Sequence, residues 1–270
     1  MVLIGGLYAI GSISNIHEVF TTMTQGEAFK EKRFLTVEKL QDPQWLKRTY
    51  ETYEYEYYLG DSNSIELFIE AAQKGFTIFP FPSEKGAKRL MPMLLKETIL
   101  LEHADLHISK KVHALMANKR YKLVINKHFD AIAAHIQSSY QDCFFDKYFI
   151  GLLRVLRIIS PKGFQFITAA LMDKETGEMV AGELGYIVNN YYVGISKFSK
   201  KDKEHQNLGT LQRVLLTQYL SKRLKIDLSD LGPGYDYKLA MGAKEYTREE
   251  FLRRVGLYGD DFKSLKICPH

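Results

Sequence analysis

Hydrophobic residues between Met179 and Ala243 follow first a strand pattern, then a helix pattern and then a strand pattern again. This order predicts one sheet whose strands are connected by a crossover helix. Two apolar runs, Leu184–Val188 and Tyr191–Ile195, flank the pair Asn189-Asn190. Asparagine tolerates the positive φ angles of a two-residue turn, so the two runs are predicted to form a β-hairpin.

A polar segment and then a helical segment follow this hairpin. Residues 200–207 read KKDKEHQN, which is too polar to pack in a core. Leu208–Leu224 has an apolar helical face formed by Leu208, Leu211, Leu215, Tyr219 and Leu220. Lys225–Leu228 is predicted to be a short strand. A hairpin, a crossover helix and a strand are typical of one sheet, and we expect that sheet to carry the function.

The rest of the chain predicts further elements of an α/β fold. The predicted helices are Ile65–Lys74, a helix capped by Ser109 and reaching Leu115, Phe129–Ile136 and Tyr148–Ile159. The predicted strands are Tyr121–Ile125 and Gln165–Leu171.

Three segments have weaker or irregular patterns. Phe79–Pro82 alternates Phe and Pro, and it is predicted to be a rigid turn because proline cannot continue a helix. Near the N-terminus, Val2–Ile10 is predicted to be a strand and Ile16–Met23 a short helix. Lys263–His270 is interpreted as a loose tail.

Composition restricts the class of protein. The chain has 270 residues, 46% hydrophobic and 26% charged, which is typical of a globular protein with one large or two small domains. Its two cysteines, Cys143 and Cys268, have no metal or redox spacing and are interpreted as free thiols in a reducing compartment. Met1–Gly11 is apolar but too short to span a bilayer. These features predict a cytoplasmic protein with no membrane partner.

Several kinds of active site are excluded because the sequence lacks their motifs. The sequence has no G-x-S-x-G nucleophile elbow, no H-E-x-x-H, no P-loop and no cluster of cysteine and histidine ligands. His103 and His107 are four residues apart but have no evident third ligand, so no metal site is predicted. The formal net charge of +5 permits an anionic partner without requiring one.

Three motifs carry a family resemblance. They are G-x-S-x-F-S at Gly194–Ser199, the pair Ile226-Asp227, and M-G-A-K-E-x-x-R-x-x-F at Met241–Phe251. Together they resemble the leucyl/phenylalanyl-tRNA–protein transferases. Tyr57–Phe81 and Asp105–Ile136 are similar to two further blocks of that family, in the same order. The resemblance therefore extends over roughly residues 57–256.

This resemblance implies a fold and a reaction. The fold is a mixed, twisted sheet with flanking helices of the GCN5-related N-acyltransferase type, at residues 96–270, preceded by a small α/β domain at residues 1–95. The reaction transfers an amino acid from the 3′ acceptor end of an aminoacyl-tRNA to the α-amino group of a protein or peptide N-terminus, as in the N-degron pathway. No cofactor is implied, and the protein is expected to be a monomer.

The aminoacyl ester is already an activated acyl donor, so the enzyme must orient it, assist loss of a proton from the amine and stabilise the oxyanion. A carboxylate at the end of a strand is suited to assist the loss of the proton from the amine. The resemblance places Asp227 in that role and puts Ser229 where the family has glutamine. The donor is expected near Ile195, with Tyr192, Gly194 and Ser196 as further substrate-binding residues.

Several positions depart from the family pattern. Met93 and Phe144 stand where the family has tryptophans that hold the terminal adenosine, and Ile195 replaces a glutamate. Glu183 and Lys197 occupy apolar positions of the family's side-chain pocket. We expect these two to face each other as a cross-strand pair and the pocket to accept a polar acyl group rather than leucine or phenylalanine.

Two groups of basic residues have open interpretations. The densest basic neighbourhood before residue 150 is either a solvated face or a surface that contacts tRNA phosphates. It contains Lys110, Lys111, Lys119, Arg120, Lys122 and Lys127, of which the first four are the candidate phosphate contacts. Lys238 either binds a phosphate or an oxyanion or is a solvent-exposed lysine at the start of a helix.

Two alternatives to aminoacyl transfer remain open at this point. Gln206–Leu211 partly matches the helix start with which acetyl-CoA enzymes of the wider superfamily bind pyrophosphate, so an acyl-CoA donor is possible. The substituted positions also allow a homologue that binds without catalysing. Neither the acyl group nor the acceptor can be read from the sequence.

Overall fold

A computed structural model describes residues 33–61, 64–81, 89–139, 145–232 and 236–259. The strands are β1 Gly60–Asp61, β2 Thr77–Phe81, β3 Arg89–Met93, β4 Glu97–Glu102, β5 Tyr121–Ile125, β6 Phe164–Asp173, β7 Met179–Val188, β8 Tyr191–Ser199, β9 Leu228–Asp230 and β10 Lys244–Thr247. The α-helices are α1 Val37–Gln41, α2 Pro43–Thr52, α3 Ile65–Gln73, α4 Lys110–Asn118, α5 Phe129–Ser139, α6 Lys147–Ile158, α7 Leu208–Tyr219, α8 Asp236–Ala240 and α9 Arg248–Arg254. The elements predicted at Val2–Ile10, Ile16–Met23 and Lys263–His270, and the candidate Phe144, lie outside the described residues.

In the part of the chain that the structure describes, the main sheet has seven strands in the order β10-β4-β9-β8-β7-β6-β5. Its neighbouring strands are antiparallel except for β8 and β9, which are parallel and joined through α7. The predicted hairpin is confirmed, and Asn189 has the positive φ of 52° that its turn requires. The predicted mixed sheet with flanking helices is also confirmed.

The strand after the crossover helix begins later than the sequence pattern indicates. α7 continues as a π-helical turn, Leu220–Leu224, which ends at Lys225 in the left-handed conformation. Ile226 then donates its backbone N–H to the carbonyl of Leu220. Because this closing turn uses residues 225 and 226, the prediction of a strand at Lys225–Leu228 is wrong, and β9 starts at Leu228.

Both faces of the central strands are covered. All ten residues of β7 are buried, as expected of a strand between two layers. One face packs against helices α3, α5 and α6 through residues such as Leu184 and Tyr186. The other packs against α7 through residues such as Ala181 and Tyr192. Within the described residues, no helix has the length and apolar character needed to cross a bilayer.

A small N-terminal sheet has the order β1-β3-β2. The predicted rigid turn at Phe79–Pro82 is wrong for Phe79–Phe81, which belong to the strand Thr77–Phe81, and Pro82 lies outside the described residues. Pro80 is tolerated there since β2 is an edge strand. The strands of the small sheet precede residue 95 in the sequence and those of the large sheet follow it. One apolar core nevertheless joins the two sheets, with Phe68 packed edge-on against Tyr186. The domain boundary at residue 95 stays a prediction.

The motif at Met241–Phe251 has a structural explanation. The buried guanidinium of Arg248 donates to four backbone carbonyls and stacks over the ring of Tyr53 at 4.6 Å. The four carbonyls belong to Thr49, Tyr55, Leu94 and Leu95. Gly242 has a φ of 93°, and a Cβ there would lie 2.0 Å from the carbonyl oxygen of Asp105. The motif therefore fastens the C-terminal helix to the N-terminal segment.

Arg248 is expected to be critical for stability. The variant Arg248→Met would leave four buried or partly buried carbonyls without their charged donor, so it should lower the free energy of unfolding by about 3 kcal/mol or more. Arg253 of the same helix is exposed and forms a surface ion pair with Glu249, so Arg253→Met should change the free energy of unfolding by less than about 0.5 kcal/mol. Denaturant unfolding of both variants measures this. Equal unfolding midpoints would contradict the role given to Arg248.

Candidate active site

The parallel strands β8 and β9 pair over a very short distance. Tyr192 pairs with Ser229 and Val193 with Asp230, and β9 then ends. β8 continues to Ser199, so Gly194–Ser199 extends beyond the end of β9. We call the edge of β8 at Gly194–Ser199 the strand gap. An opened sheet edge of this kind gives a ligand access to backbone groups.

A β-bulge lies at the start of the strand gap. Leu184 of β7 pairs with Ser196, whereas the next residue, Gly185, pairs with Gly194. Ile195 is therefore an extra residue in β8. Such a bulge bends its strand and re-aims the neighbouring side chains, and bulges are frequent beside active sites.

A buried ion pair borders the strand gap. The Glu183 side chain on β7 is 1% exposed and that of Arg213 on α7 is 7% exposed. Arg213 Nη2 donates to Glu183 Oε1 at 2.6 Å, and the Tyr192 hydroxyl donates to the same oxygen at 2.9 Å. A Cβ at Gly194 would lie 2.8 Å from that oxygen, so glycine is needed to admit the pair. A buried ion pair is costly to desolvate and is therefore a candidate functional feature.

Among the described residues, two polar atoms of this ion pair have no hydrogen-bond partner. They are Glu183 Oε2 and Arg213 Nη1, both buried. Gln212 Nε2 and Thr217 Oγ1, on the same helix, are likewise buried and unpartnered. Since most buried polar groups in proteins are satisfied, this cluster marks the α7 face of the sheet as unusual.

Lys197 completes the charged neighbourhood. It is the cross-strand partner of Glu183, as predicted, although the ion pair of Glu183 is with Arg213. Its Nζ lies 4.7 Å from the centre of the Tyr237 ring. Burial, with a contribution from Arg213, lowers the pKa of Lys197 to about 8, while Glu183 opposes the shift.

Lys238 lies close by on α8 and is buried, so the interpretation as a solvent-exposed lysine is wrong. Its Nζ donates to the carbonyl of Leu231. Burial lowers the pKa of Lys238 to about 7, with Lys197 and Arg213 adding to the shift and Asp230 opposing it. A lysine of this kind exchanges protons near neutral pH.

A comparison with known proteins identifies the family. A family model described as leucyl/phenylalanyl-tRNA protein transferase matches residues 100–256, which is more than half of the chain. The chain belongs to this family. The expected resemblance at Tyr57–Phe81 lies outside the matched range. The sequence matches no curated protein.

Among solved structures, the chain is similar to L-PGS from Bacillus licheniformis at 14% identity and a TM-score of 0.38, covering 72% of this chain and 57% of that one. It is also similar to a GCN5-related N-acetyltransferase from Kribbella flavida at 13% identity and a TM-score of 0.36, covering 78% and 73%. The chain thus spans little more than half of the first structure. Because both TM-scores are below 0.5, nothing about the site follows from them.

The family's aspartate position, Asp227, lies outside the strand. Its side chain is exposed and accepts a hydrogen bond from the Ser221 hydroxyl at 2.6 Å. The expectation that Asp227 ends the strand is wrong, because β9 runs from Leu228 to Asp230. Its catalytic role stays a prediction.

The strand-end carboxylate is Asp230, which the sequence reasoning missed. It is buried and accepts hydrogen bonds from the Thr98 hydroxyl at 2.8 Å, the Thr77 hydroxyl at 3.3 Å and the Gly232 N–H at 2.8 Å. Burial raises the pKa of Asp230, against the effect of these bonds. Its register partner is Val193, so it lies on the face of the sheet opposite Ser229.

Ser229 of the transferase motif is fully buried and contacts His103, which the sequence did not predict. Its hydroxyl lies 2.8 Å from His103 Nε2, while His103 Nδ1 is buried without a partner. Burial lowers the pKa of His103 to about 4, opposed by Asp227, so this imidazole is neutral at physiological pH. The two residues are 126 positions apart, and nothing in the sequence indicates their contact.

The remaining predicted site residues are distributed as follows. In the strand gap, Ile195 is buried and Ser196 is half-buried. Met93 is buried in β3 and pairs with Thr77, the residue that donates to Asp230. It therefore lies near the end of β9. Its role in binding adenosine stays a prediction.

The four candidate phosphate contacts differ in availability. Lys110 and Lys111 are exposed at the start of α4, and Lys119 is exposed just after that helix. Arg120 donates to Asp173 at 2.8 and 2.5 Å and lies 3.4 Å from Glu175. Because two carboxylates already engage its guanidinium, Arg120 is the weakest candidate of the four.

Packing at the start of α7 accounts for Gly209 without a bound cofactor. A Cβ at Gly209 would lie 2.9 Å from the Ser199 hydroxyl oxygen, so glycine allows the helix to pack against β8. The residue before the helix, Asn207, is in the left-handed conformation. Among the described residues, no group of three or more His, Cys, Asp and Glu side chains is arranged to hold a metal ion.

The ion pair between Glu183 and Arg213 makes a testable energetic prediction. Glu183→Leu or Arg213→Met alone leaves one buried charge unpaired and should lower the free energy of unfolding by about 3–5 kcal/mol. The double variant removes both charges and should lie within about 1 kcal/mol of the parent protein. Denaturant unfolding of all four proteins measures the coupling. Single effects that simply add in the double variant would contradict a buried ion pair.

Proposed function

We propose that this protein transfers an amino acid from the 3′ end of an aminoacyl-tRNA to the α-amino group of a protein or peptide N-terminus. The main support is that two distant family motifs converge on adjacent strands. Gly194–Ser199 forms the strand gap, and Ser229 pairs with Tyr192 two residues before it. Membership of the transferase family supports the same chemistry. The N-degron pathway is the corresponding proposed context.

The reaction requires positioning and proton transfer rather than a covalent nucleophile. The acceptor amine attacks the ester carbonyl, the bond to the ribose oxygen breaks, and the tRNA leaves with its 3′ hydroxyl. The amine must lose a proton along this path. The family resemblance assigns this step to Asp227, which precedes β9 and so lies at the other end of the β8–β9 pairing from the strand gap. Lys238, whose lowered pKa is about 7, is a second group suited to exchange that proton.

The acyl side chain would lie beside Glu183 and Lys197. In the family these positions belong to an apolar pocket. Here they carry a carboxylate and a lysine, and the guanidinium of Arg213 lies next to them. An apolar side chain entering this neighbourhood would desolvate charges without pairing them. A pocket specific for a polar acyl group is therefore proposed in place of one for leucine or phenylalanine.

A basic surface would hold the rest of the acceptor arm. Lys110, Lys111 and Lys119 are exposed on or next to α4 and are proposed to contact phosphates. Such contacts position the nucleic acid without reading its sequence, and they weaken as salt rises.

The transfer assay uses purified protein, total aminoacyl-tRNA and a panel of peptides that differ in their N-terminal residue. We expect a peptide product heavier by one amino-acid residue, detected by mass spectrometry. Asp227→Asn should slow transfer about tenfold or more, because one proton-handling group is lost. The exposed Asp130, which pairs with Arg154 on a neighbouring helix, gives the control Asp130→Asn, expected to be unchanged.

Three results would count against this account. Absence of transfer with every aminoacyl-tRNA and peptide would contradict the proposed function. Acylation that needs acetyl-CoA and proceeds without tRNA would replace it with the acyl-CoA alternative. Efficient transfer of leucine and phenylalanine would retain the function but contradict the polar pocket.

A further inference from the structure

The ion pair of Glu183 and Arg213 leaves one hydrogen-bond acceptor and one hydrogen-bond donor without partners among the described residues. Arginine and carboxylate often form two parallel hydrogen bonds, but here both Arg213 and Tyr192 donate to the single oxygen Oε1. Glu183 Oε2 is left as a buried acceptor and Arg213 Nη1 as a buried donor. A buried donor or acceptor without a partner is destabilising, so a group that pairs with both atoms would be favoured.

The pair also lies directly beside the strand gap. Gly194, the first residue of the strand gap, has only its α-carbon against the pair, because a Cβ would be 2.8 Å from Glu183 Oε1 and 3.3 Å from Arg213 Nη2. Lys197, further along the gap, is cross-strand to Glu183. The pair is therefore a wall of the strand gap rather than an isolated feature of the core.

We propose that this ion pair recognises the side chain of the transferred amino acid, and that this side chain is a carboxamide, as in glutamine or asparagine. The inference rests on the proposed aminoacyl transfer. A carboxamide carries a carbonyl acceptor for Arg213 Nη1 and an NH₂ donor for Glu183 Oε2 on one small planar group. It adds no net charge to a site whose own ion pair is balanced.

Other side-chain classes fit less well. An aliphatic or aromatic group leaves both open positions unsatisfied, and sites built to hydrogen-bond a substrate reject such analogues strongly. A carboxylate satisfies Arg213 Nη1 and is attracted by Lys197, but it has no proton to donate to Glu183 Oε2 and is repelled by it. A cationic group is repelled by Arg213 and Lys197. A hydroxyl presents a single atom to two partners, whereas the carboxamide presents two.

Entry to this site requires side-chain movement, because the open atoms of the pair are closed to solvent. Lys197 is half-buried and contacts the ring of Tyr237, whose residue is 44% exposed. Both residues interact electrostatically with Glu183 and Arg213. They are the groups expected to move when the acyl side chain enters.

The test uses stable analogues of the aminoacyl-tRNA end, in which an amide links the amino acid to 3′-amino-3′-deoxyadenosine. Glutaminyl, glutamyl and leucyl forms are titrated calorimetrically into the full chain. We expect the glutaminyl form to bind at least about tenfold more tightly than either of the others, or about 1.4 kcal/mol. In Glu183→Leu/Arg213→Met this preference should vanish and the leucyl form should bind as well as or better than the glutaminyl one.

A matched control is the exposed ion pair of Asp130 and Arg154, at 2.6 Å. The double variant Asp130→Leu/Arg154→Met should keep the glutaminyl preference. Loss of the preference in this control would overturn the assignment to Glu183 and Arg213. Unfolding of each variant is measured in parallel, so a folding defect is not mistaken for lost recognition.

The outcomes separate the inference from the function on which it rests. Equal or tighter binding of the glutamyl or leucyl analogue overturns the carboxamide inference. So does transfer of only other amino acids when the full set of aminoacyl-tRNAs is supplied, although aminoacyl transfer then stands. No transfer of any amino acid, together with no binding of any analogue, overturns both.

Discussion

The short parallel pairing of β8 with β9 is the constraint on which the candidate site depends. Two residue pairs join the strands before β9 ends at Asp230, while β8 continues through the bulge at Ile195. The π-helical turn after α7 delays β9 and so contributes to its shortness. A longer β9 would cover the edge of Gly194–Ser199 with backbone hydrogen bonds and leave no room for a donor. The sheet therefore lacks this pairing where the family motif Gly194–Ser199 lies.

The ion pair beside this opening is costly for the protein. Glu183 and Arg213 are almost completely buried, and two of their polar atoms lack partners. Well-packed apolar residues often replace such a pair at no loss of stability. Gly194 is kept free of a side chain next to it, at the further cost of a flexible residue in a strand. These costs favour selection for binding rather than for stability, in agreement with the proposed role of the pair in recognising the acyl side chain.

Regular patterns in the sequence were sufficient for much of the fold. The hairpin of β7 and β8 and the helix α7 follow from local periodicity, and both are confirmed. Two local predictions failed because tertiary context decided them. Pro80 fits a strand since that strand is at an edge, and Asp227 lies outside β9 since the preceding turn consumes two residues.

The partners at the site could not be predicted in the same way. Glu183 and Arg213 are 30 residues apart, and His103 and Ser229 are 126 apart. Periodicity reports which face a residue occupies, not which distant group meets it there. The family resemblance drew attention to Glu183 and Lys197 as departures, but the true partner of Glu183 is on the crossover helix. Arg213 lies off the apolar face predicted from Leu208, Leu211 and Leu215, so the local pattern does not indicate its burial.

The central claim is that the strand gap holds the aminoacyl end of the donor. A crystal structure of the full chain with the glutaminyl 3′-amino-3′-deoxyadenosine analogue tests it most directly. The account predicts density for the acyl group between β8 and β9, against Gly194, with its side chain at Glu183 and Arg213. Density for the analogue at another surface, with β8 and β9 unchanged and the ion pair still closed, would contradict it.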